Sequence, residues 1–328
     1  MLKKFFSAAI ALFLPIVLTG CALTERDLVD KTYETNTPPR LMFLGDSIAA
    51  GYGLEGYTSN DNYSCSDSYA NILDAKYTAA LAETYSHEMQ NFAVSGATSA
   101  DLIELLKSGK LDSALAETDA VVVSIGGNDL LGNIYTIIES LGITPENQTI
   151  NIDDIDILSL LGQIATLEEN VQDSLTEFET NLKEIAVILN EKSEGDVYIQ
   201  TLYNPLETFT DISLVTDFSE STLTEFNRII NDNSVNGYKV IDVAADFVGK
   251  CEELTRIGKI DIHPNEAGHK VIAEAVDEAL TADTYTYTTQ VYGEPHLTLT
   301  AILLIAGGIL AMLIVVVVLI PKMFRKYE

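Results

Sequence analysis

Short apolar runs recur along the chain at Leu41–Leu44, Ala120–Ile125, Val197–Leu202 and Val240–Val243, with a weaker one at Asn91–Val94. Each has the length of a buried strand. Between them, apolar residues fall at helical spacing, most clearly Leu167, Val171, Leu175, Phe178, Leu182, Ile185 and Leu189 along one face. Strands alternating with helices of this length predict a mostly parallel sheet covered by helices on both faces. In such folds sites lie beyond the carboxyl ends of the strands. The residues just after each run therefore carry most of the functional information. The stretch 130–161 breaks the alternation and reads as an insertion, a helical flap beside the cleft.

The two ends of the chain read differently. Lys3 and Lys4 precede an apolar stretch, Phe5–Leu18, that ends in Leu18-Thr-Gly-Cys21. This is the pattern of an export signal over 1–21, outside the fold. Leu-Thr-Gly-Cys also resembles the bacterial lipobox, whose cysteine becomes lipidated, and its position favours lipid on Cys21 over an incidental cysteine. Leu297–Ile320 has no charged residue and is long enough to span a bilayer as one helix. Lys322, Arg325 and Lys326 follow, which puts the tail 321–328 in the cytoplasm. The expectation is a bacterial cell-membrane protein whose domain, 38–283, faces outward between linkers at 22–37 and 284–296.

With 49 acidic against 19 basic residues the net charge is −30. That excess suits a soluble, self-repelling surface and argues against a nucleic-acid partner. The four histidines form no Cys/His or His/carboxylate cluster at ligand spacing, so neither a metal nor another cofactor is expected. Gly51-Tyr-Gly-Leu-Glu-Gly56 is a literal G-x-G-x-x-G. A dinucleotide site needs its first glycine at the strand end and a helix opening through it. Here the strand has already ended at Gly45 and polar residues follow Gly56, which excludes that reading.

Four polar sets follow the strands. They are Gly45-Asp46-Ser47, Ser95-Gly96-Ala97-Thr98, Gly126-Gly127-Asn128-Asp129 and Asp261-Ile262-His263-Pro264, the last leading into a helix from Glu266 to about Leu280. Each has an ordinary structural use: Ser47 as a helix cap, the glycines and Asn128 as turn residues, His263 as a surface residue at a helix entrance. In order at successive strand ends, they point to acyl transfer. A serine hydroxyl needs a base, which His263 supplies. A tetrahedral intermediate needs preset donors, which the N–H groups of Ser47 and Gly96 and the Asn128 amide supply.

The blocks "FLGDSIAAGYG", "NFAVSGATSADL", "VVVSIGGNDLL" and "IDIHPNEAGHKVIAEAV" resemble those of the SGNH hydrolases, or GDSL-type esterases and lipases, over about Arg40–Leu280. The resemblance implies a flavodoxin-like three-layer α/β/α sandwich, an acyl-ester substrate and no metal. It also implies Ser47 as nucleophile, His263 as base, and Ser47, Gly96 and Asn128 as the oxyanion hole. One departure stands out. The family pattern has Asp three residues before the histidine, where this chain has Ile260, and Asp261 lies only two before. Either Asp261 orients His263 by another path or a backbone carbonyl near Ile260 does so. Cys65 and Cys251 are left to pair as a disulfide if their Cα atoms lie within ~7 Å. The substrate is open among lysophospholipids, acylated glycans and acetylated wall polymers. A non-catalytic glycan- or lipid-binding module on the same scaffold is the alternative function.

Overall fold

The computed structural model describes residues 23–81, 85–132, 157–259, 261–314, 316–317 and 321, with side chains throughout except at 157–166. The export signal with Cys21, the body of the expected flap, and the cytoplasmic tail apart from Pro321 lie outside the described residues. The chain divides into two units, Glu34–Tyr287 and the segments flanking it.

The larger unit is built on five strands: β1 (Arg40–Gly45), β2 (Glu88–Asn91), β3 (Ala120–Ser124), β4 (Asp196–Gln200) and β5 (Lys239–Ile241). All pair in parallel, in the order β2-β1-β3-β4-β5. The register runs from Leu41 opposite Ala120 to Gly45 opposite Ser124, so β1 and β3 end side by side. The strands are continuously apolar because both faces are covered. Met42, Leu44, Val121, Val123 and Ile199 pack on one side with α3 (Ser99–Lys107), α5 (Ile157–Lys192) and α6 (Ser213–Asp232). Leu41, Phe43, Val122 and Tyr198 pack on the other with α2 (Tyr69–Leu81) and α9 (Glu266–Thr281). The helical stripe from Leu167 to Leu189 is buried along α5, as its spacing predicts.

Strand β2 departs from expectation. It is Glu88-Met-Gln-Asn91, three residues before the apolar run, and Val94 is 55% exposed. As the edge strand it is covered incompletely and tolerates polar residues, so apolarity does not mark it. The pairing of Arg40 with Asp119 fixes the opposite end of the sheet. The guanidinium donates from Nε and Nη2, and the Arg40 N–H adds a third bond to the same carboxylate, at 2.9–3.0 Å.

In the smaller unit Thr24–Glu25 pairs antiparallel with His296–Leu297. Leu28–Thr35 pairs with Tyr285–Tyr292, two strands that run across the boundary of the units, so the expected linkers at 22–37 and 284–296 contain strands. Their Thr, Tyr and Val content explains this. The expected spanning helix at 297–320 is not shown. The strand pair takes up Leu297, and the described helix, α10, runs from Leu299 to Ile314. Among the described residues, no helix is long and apolar enough to cross a membrane.

Candidate active site

Strand β1 ends in a close approach that only glycine allows. At Gly45 the backbone φ is +135°, and a Cβ would lie 1.9 Å from the Ser124 carbonyl oxygen of β3. Asp46 then caps the short helix α1 (Ser47–Ala50), its carboxylate accepting the Ile48 N–H at 3.0 Å. The cap in this turn is therefore Asp46. Ser47 is the first residue inside the helix, 7% exposed.

The hydroxyl of Ser47 meets the imidazole of His263, with Oγ 2.9 Å from Nε2. The other ring nitrogen, Nδ1, lies 2.5 Å from Oδ1 of Asp261, which also accepts the His263 N–H at 3.1 Å. The carboxylate of Asp261 thus takes the place on Nδ1 that the sequence left open, while Ile260 lies outside the described residues. A small hairpin explains how an acid two residues away can do this. Thr255–Arg256 (β6) pairs antiparallel with Asp261–Pro264 (β7), with Arg256 opposite Asp261. Alternation then puts Asp261 and His263 on one side of the extended strand. Arg256 Nη1 stands 3.6 Å from the second oxygen of Asp261 and 3.4 Å from the Tyr52 carbonyl, linking the hairpin to the loop after Ser47. The Tyr52 ring packs against the imidazole at 4.6 Å. Tyr203 donates to the Ile262 carbonyl at 2.7 Å and holds the strand from behind.

The remaining site residues arrive from β2 and β3. Gly96 sits in the turn after β2 at φ +86°, where a Cβ would meet nothing, so the backbone angle alone calls for glycine. The Asn128 amide donates to the Ala97 carbonyl at 2.8 Å, which fastens the Gly96 turn to the turn after β3 and leaves its second N–H hydrogen for another acceptor. Asp129 secures the same junction, accepting the N–H and hydroxyl of Ser99. On the edge strand, the Asn91 amide donates to the Ala49 carbonyl and braces α1.

The two carboxylates near the serine differ in charge. Burial raises the Asp261 carboxyl, but bonds from His263 and the nearby Arg256 outweigh that and hold it below its ordinary value. Asp46 is fully buried, and burial pushes it up to about 7 against its bond from Ile48 and the nearby His263. Arg256, Asp46, Tyr52 and Asp129 were not read as functional from the sequence. Asp46 and Asp129 at least stand inside the motif blocks, whereas nothing in the sequence marks Arg256.

Cys65 and Cys251 are free thiols, not a disulfide. Each sulfur faces a local carbonyl, Gly51 for Cys65 and Phe247 for Cys251, and burial raises both thiols. Among the described residues no group of three His, Cys, Asp or Glu is placed to hold a metal.

A sequence model of the GDSL-like lipase/acylhydrolase family matches residues 43–271, from within β1 into α9. The chain belongs to that family. The matched stretch contains every residue of the site just described, and membership makes this GDSL-like protein an esterase- or lipase-type hydrolase. It is similar to the uncharacterized protein YpmR of Bacillus subtilis (strain 168), at 27% identity over 294 residues covering 84% of this chain and 96% of that one. Among solved structures it resembles the lipase Lip_vut3 from a goat rumen metagenome (TM-score 0.53, 21% identity, 73% of this chain and 96% of the other). It also resembles an extracellular lipase of Streptomyces rimosus (TM-score 0.52, 18% identity, 73% and 99%). Phospholipase A1 of Streptomyces albidoflavus NA297 is comparable (TM-score 0.51, 17% identity, 74% and 99%). At these identities the likeness is one of fold: an α/β domain with a parallel central sheet.

Two outcomes follow for this GDSL-like site. If the carboxylate at His263 Nδ1 steadies an imidazolium, Asp261→Asn should lower kcat on an ester by ~10²-fold or more with KM little changed. A drop under about threefold in steady-state kinetics would remove Asp261 from that role. Asp46 is raised in the fold, so the stability it gives is present below its unfolded value and lost as pH climbs from about 4 to about 7. Across that window the urea midpoint of the wild type should fall relative to Asp46→Asn; parallel curves would contradict the buried assignment.

Proposed function

We propose that the protein is a bacterial serine esterase or acylhydrolase, lipase- or lysophospholipase-like, held at the outer face of the cell membrane. The observation that carries the catalytic part is the unbroken line of hydrogen bonds from Ser47 Oγ through His263 to Asp261. As Ser47 Oγ attacks the ester carbonyl, its proton passes to His263 Nε2 and the carbonyl electron pair moves onto the oxygen. That oxyanion is met by the N–H groups of Ser47 and Gly96 and the free amide hydrogen of Asn128. Collapse breaks the bond to the leaving alkoxide, which takes the proton from Nε2. Water then repeats the sequence on the acyl-serine, with His263 as base, and releases the acid. Asp261 stays ionised throughout and fixes the tautomer that leaves Nε2 free to accept.

Sequence supports the location: the export signal ending at Cys21, the uncharged stretch 297–320 and the basic residues after it. Lipid on Cys21 alone would hold the protein reversibly, so the apolar stretch supplies a second attachment. The acidic surface suits a domain outside the cell and offers nothing to nucleic acid.

The test is turnover of p-nitrophenyl butyrate by the detergent-solubilised full chain. Wild type should hydrolyse it, and Ser47→Ala should lose ~10³-fold or more with an unchanged circular dichroism spectrum. Equal activity in the variant, freed of host esterases, would displace Ser47 as nucleophile. Binding of glycan or lipid with no turnover of any ester would hand the scaffold to a non-catalytic module.

A further inference from the structure

Three site residues have chain neighbours that open onto one cavity. Ile48 follows Ser47, Gly127 precedes Asn128 and Ile262 precedes His263, and all three line a hollow of about 660 Å³ counted to its open mouth. Its inner wall comes from Leu202 after β4, Leu206 in the turn behind it, and Phe218 and Leu223 of α6. Those side chains are buried against the sheet on the α5–α6 side, so the hollow has firm walls.

Its polarity decides what fits. In a chain of net charge −30, no charged side chain of the described residues lines this space. Of the polar side chains that line it, Asn204, Ser219 and Tyr203 are committed to protein partners. The Asn204 amide donates to Ser219 Oγ at 3.1 Å and its carbonyl accepts the Leu206 N–H at 3.1 Å. Ser219 donates its own proton to the Thr216 carbonyl, and Tyr203 commits its hydroxyl to Ile262. A sugar entering here would lose its hydration for few partners in return, whereas an alkyl chain would lose none.

We propose that this cavity takes the acyl chain of the ester and makes the enzyme selective for unbranched medium-length acyl groups over acetyl. The proposal rests on the serine-esterase reading of the same site. With the carbonyl carbon at Ser47 Oγ and its oxygen toward Asn128, the chain runs past Ile48 and Ile262 into the hollow. The alcohol part then lies on the His263 side, toward Tyr52, whose exposed ring packs on the imidazole. Each methylene that enters contributes about 0.8 kcal/mol, close to fourfold in kcat/KM, when fully buried. An acetyl group leaves that apolar surface wet and gains nothing from it.

The experiment is kcat/KM of the full chain on p-nitrophenyl acetate, butyrate, hexanoate and octanoate. Values should climb about two- to fourfold per methylene, so that octanoate exceeds acetate by at least about fifty-fold. Thr222→Phe, which fills the hollow from α6, should lower the octanoate-to-acetate ratio at least tenfold, and Thr222→Val should keep the wild-type ratio. A flat or falling series in the wild type, with acetate turnover still lost in Ser47→Ala, overturns the acyl pocket and leaves the esterase standing. A folded Thr222→Phe protein that keeps the wild-type ratio overturns the pocket in the same way. If Thr222→Phe fails to fold, the wild-type series decides alone. No Ser47-dependent turnover of any of the four esters overturns the esterase reading and the pocket with it.

Discussion

The hydrogen bond between Ser47 and His263 joins residues 216 positions apart, and the working geometry depends on it. Ser47 stands at the end of β1, near the start of the larger unit, and His263 in a hairpin just before its last helix. Neither loop holds the other by chain connection. What brings them together is the sheet, whose register puts the ends of β1 and β3 side by side, and the packing of α9 on the face that also carries α1 and α2. Loss of that packing would separate His263 from Ser47 while leaving each motif intact.

Charge around the pair is divided between two acids. Asp261 faces His263 and Arg256 and remains ionised, ready to stabilise an imidazolium. Asp46 is adjacent in sequence to Ser47, yet it is sealed from water and commits its oxygen to the α1 cap. The contrast follows the rule that burial neutralises a carboxyl, whereas hydrogen bonds and a nearby cation keep it charged.

Much of this was legible in the sequence. Central strands announce themselves because both faces are buried, and Ser47, Gly96 and Asn128 follow strand ends, whereas His263 sits in the hairpin strand β7. The sequence favoured Asp261 over a backbone carbonyl as the partner of His263, but the hairpin pairing with Arg256 that brings the two together leaves no periodic trace. Strand β2 escaped because an edge strand need not be apolar. The strands at Leu28–Thr35 and Tyr285–Tyr292 escaped because each is made by its partner far away in the chain, not by local apolarity. Cys65 and Cys251 show the reverse error. Spacing and compartment allowed a pairing, but each sulfur is committed to a separate buried corner.

The central claim is that Ser47 is a nucleophile activated by His263, and covalent trapping tests it most directly. The full chain is treated with a fluorophosphonate, which transfers phosphorus to an activated serine with loss of fluoride, and the adduct is located by mass spectrometry of its peptides. The account predicts a single adduct per chain, on Ser47, absent when His263 is replaced by alanine in a protein that remains folded. An unmodified Ser47 in folded wild-type protein, or an adduct on a different residue, would contradict it.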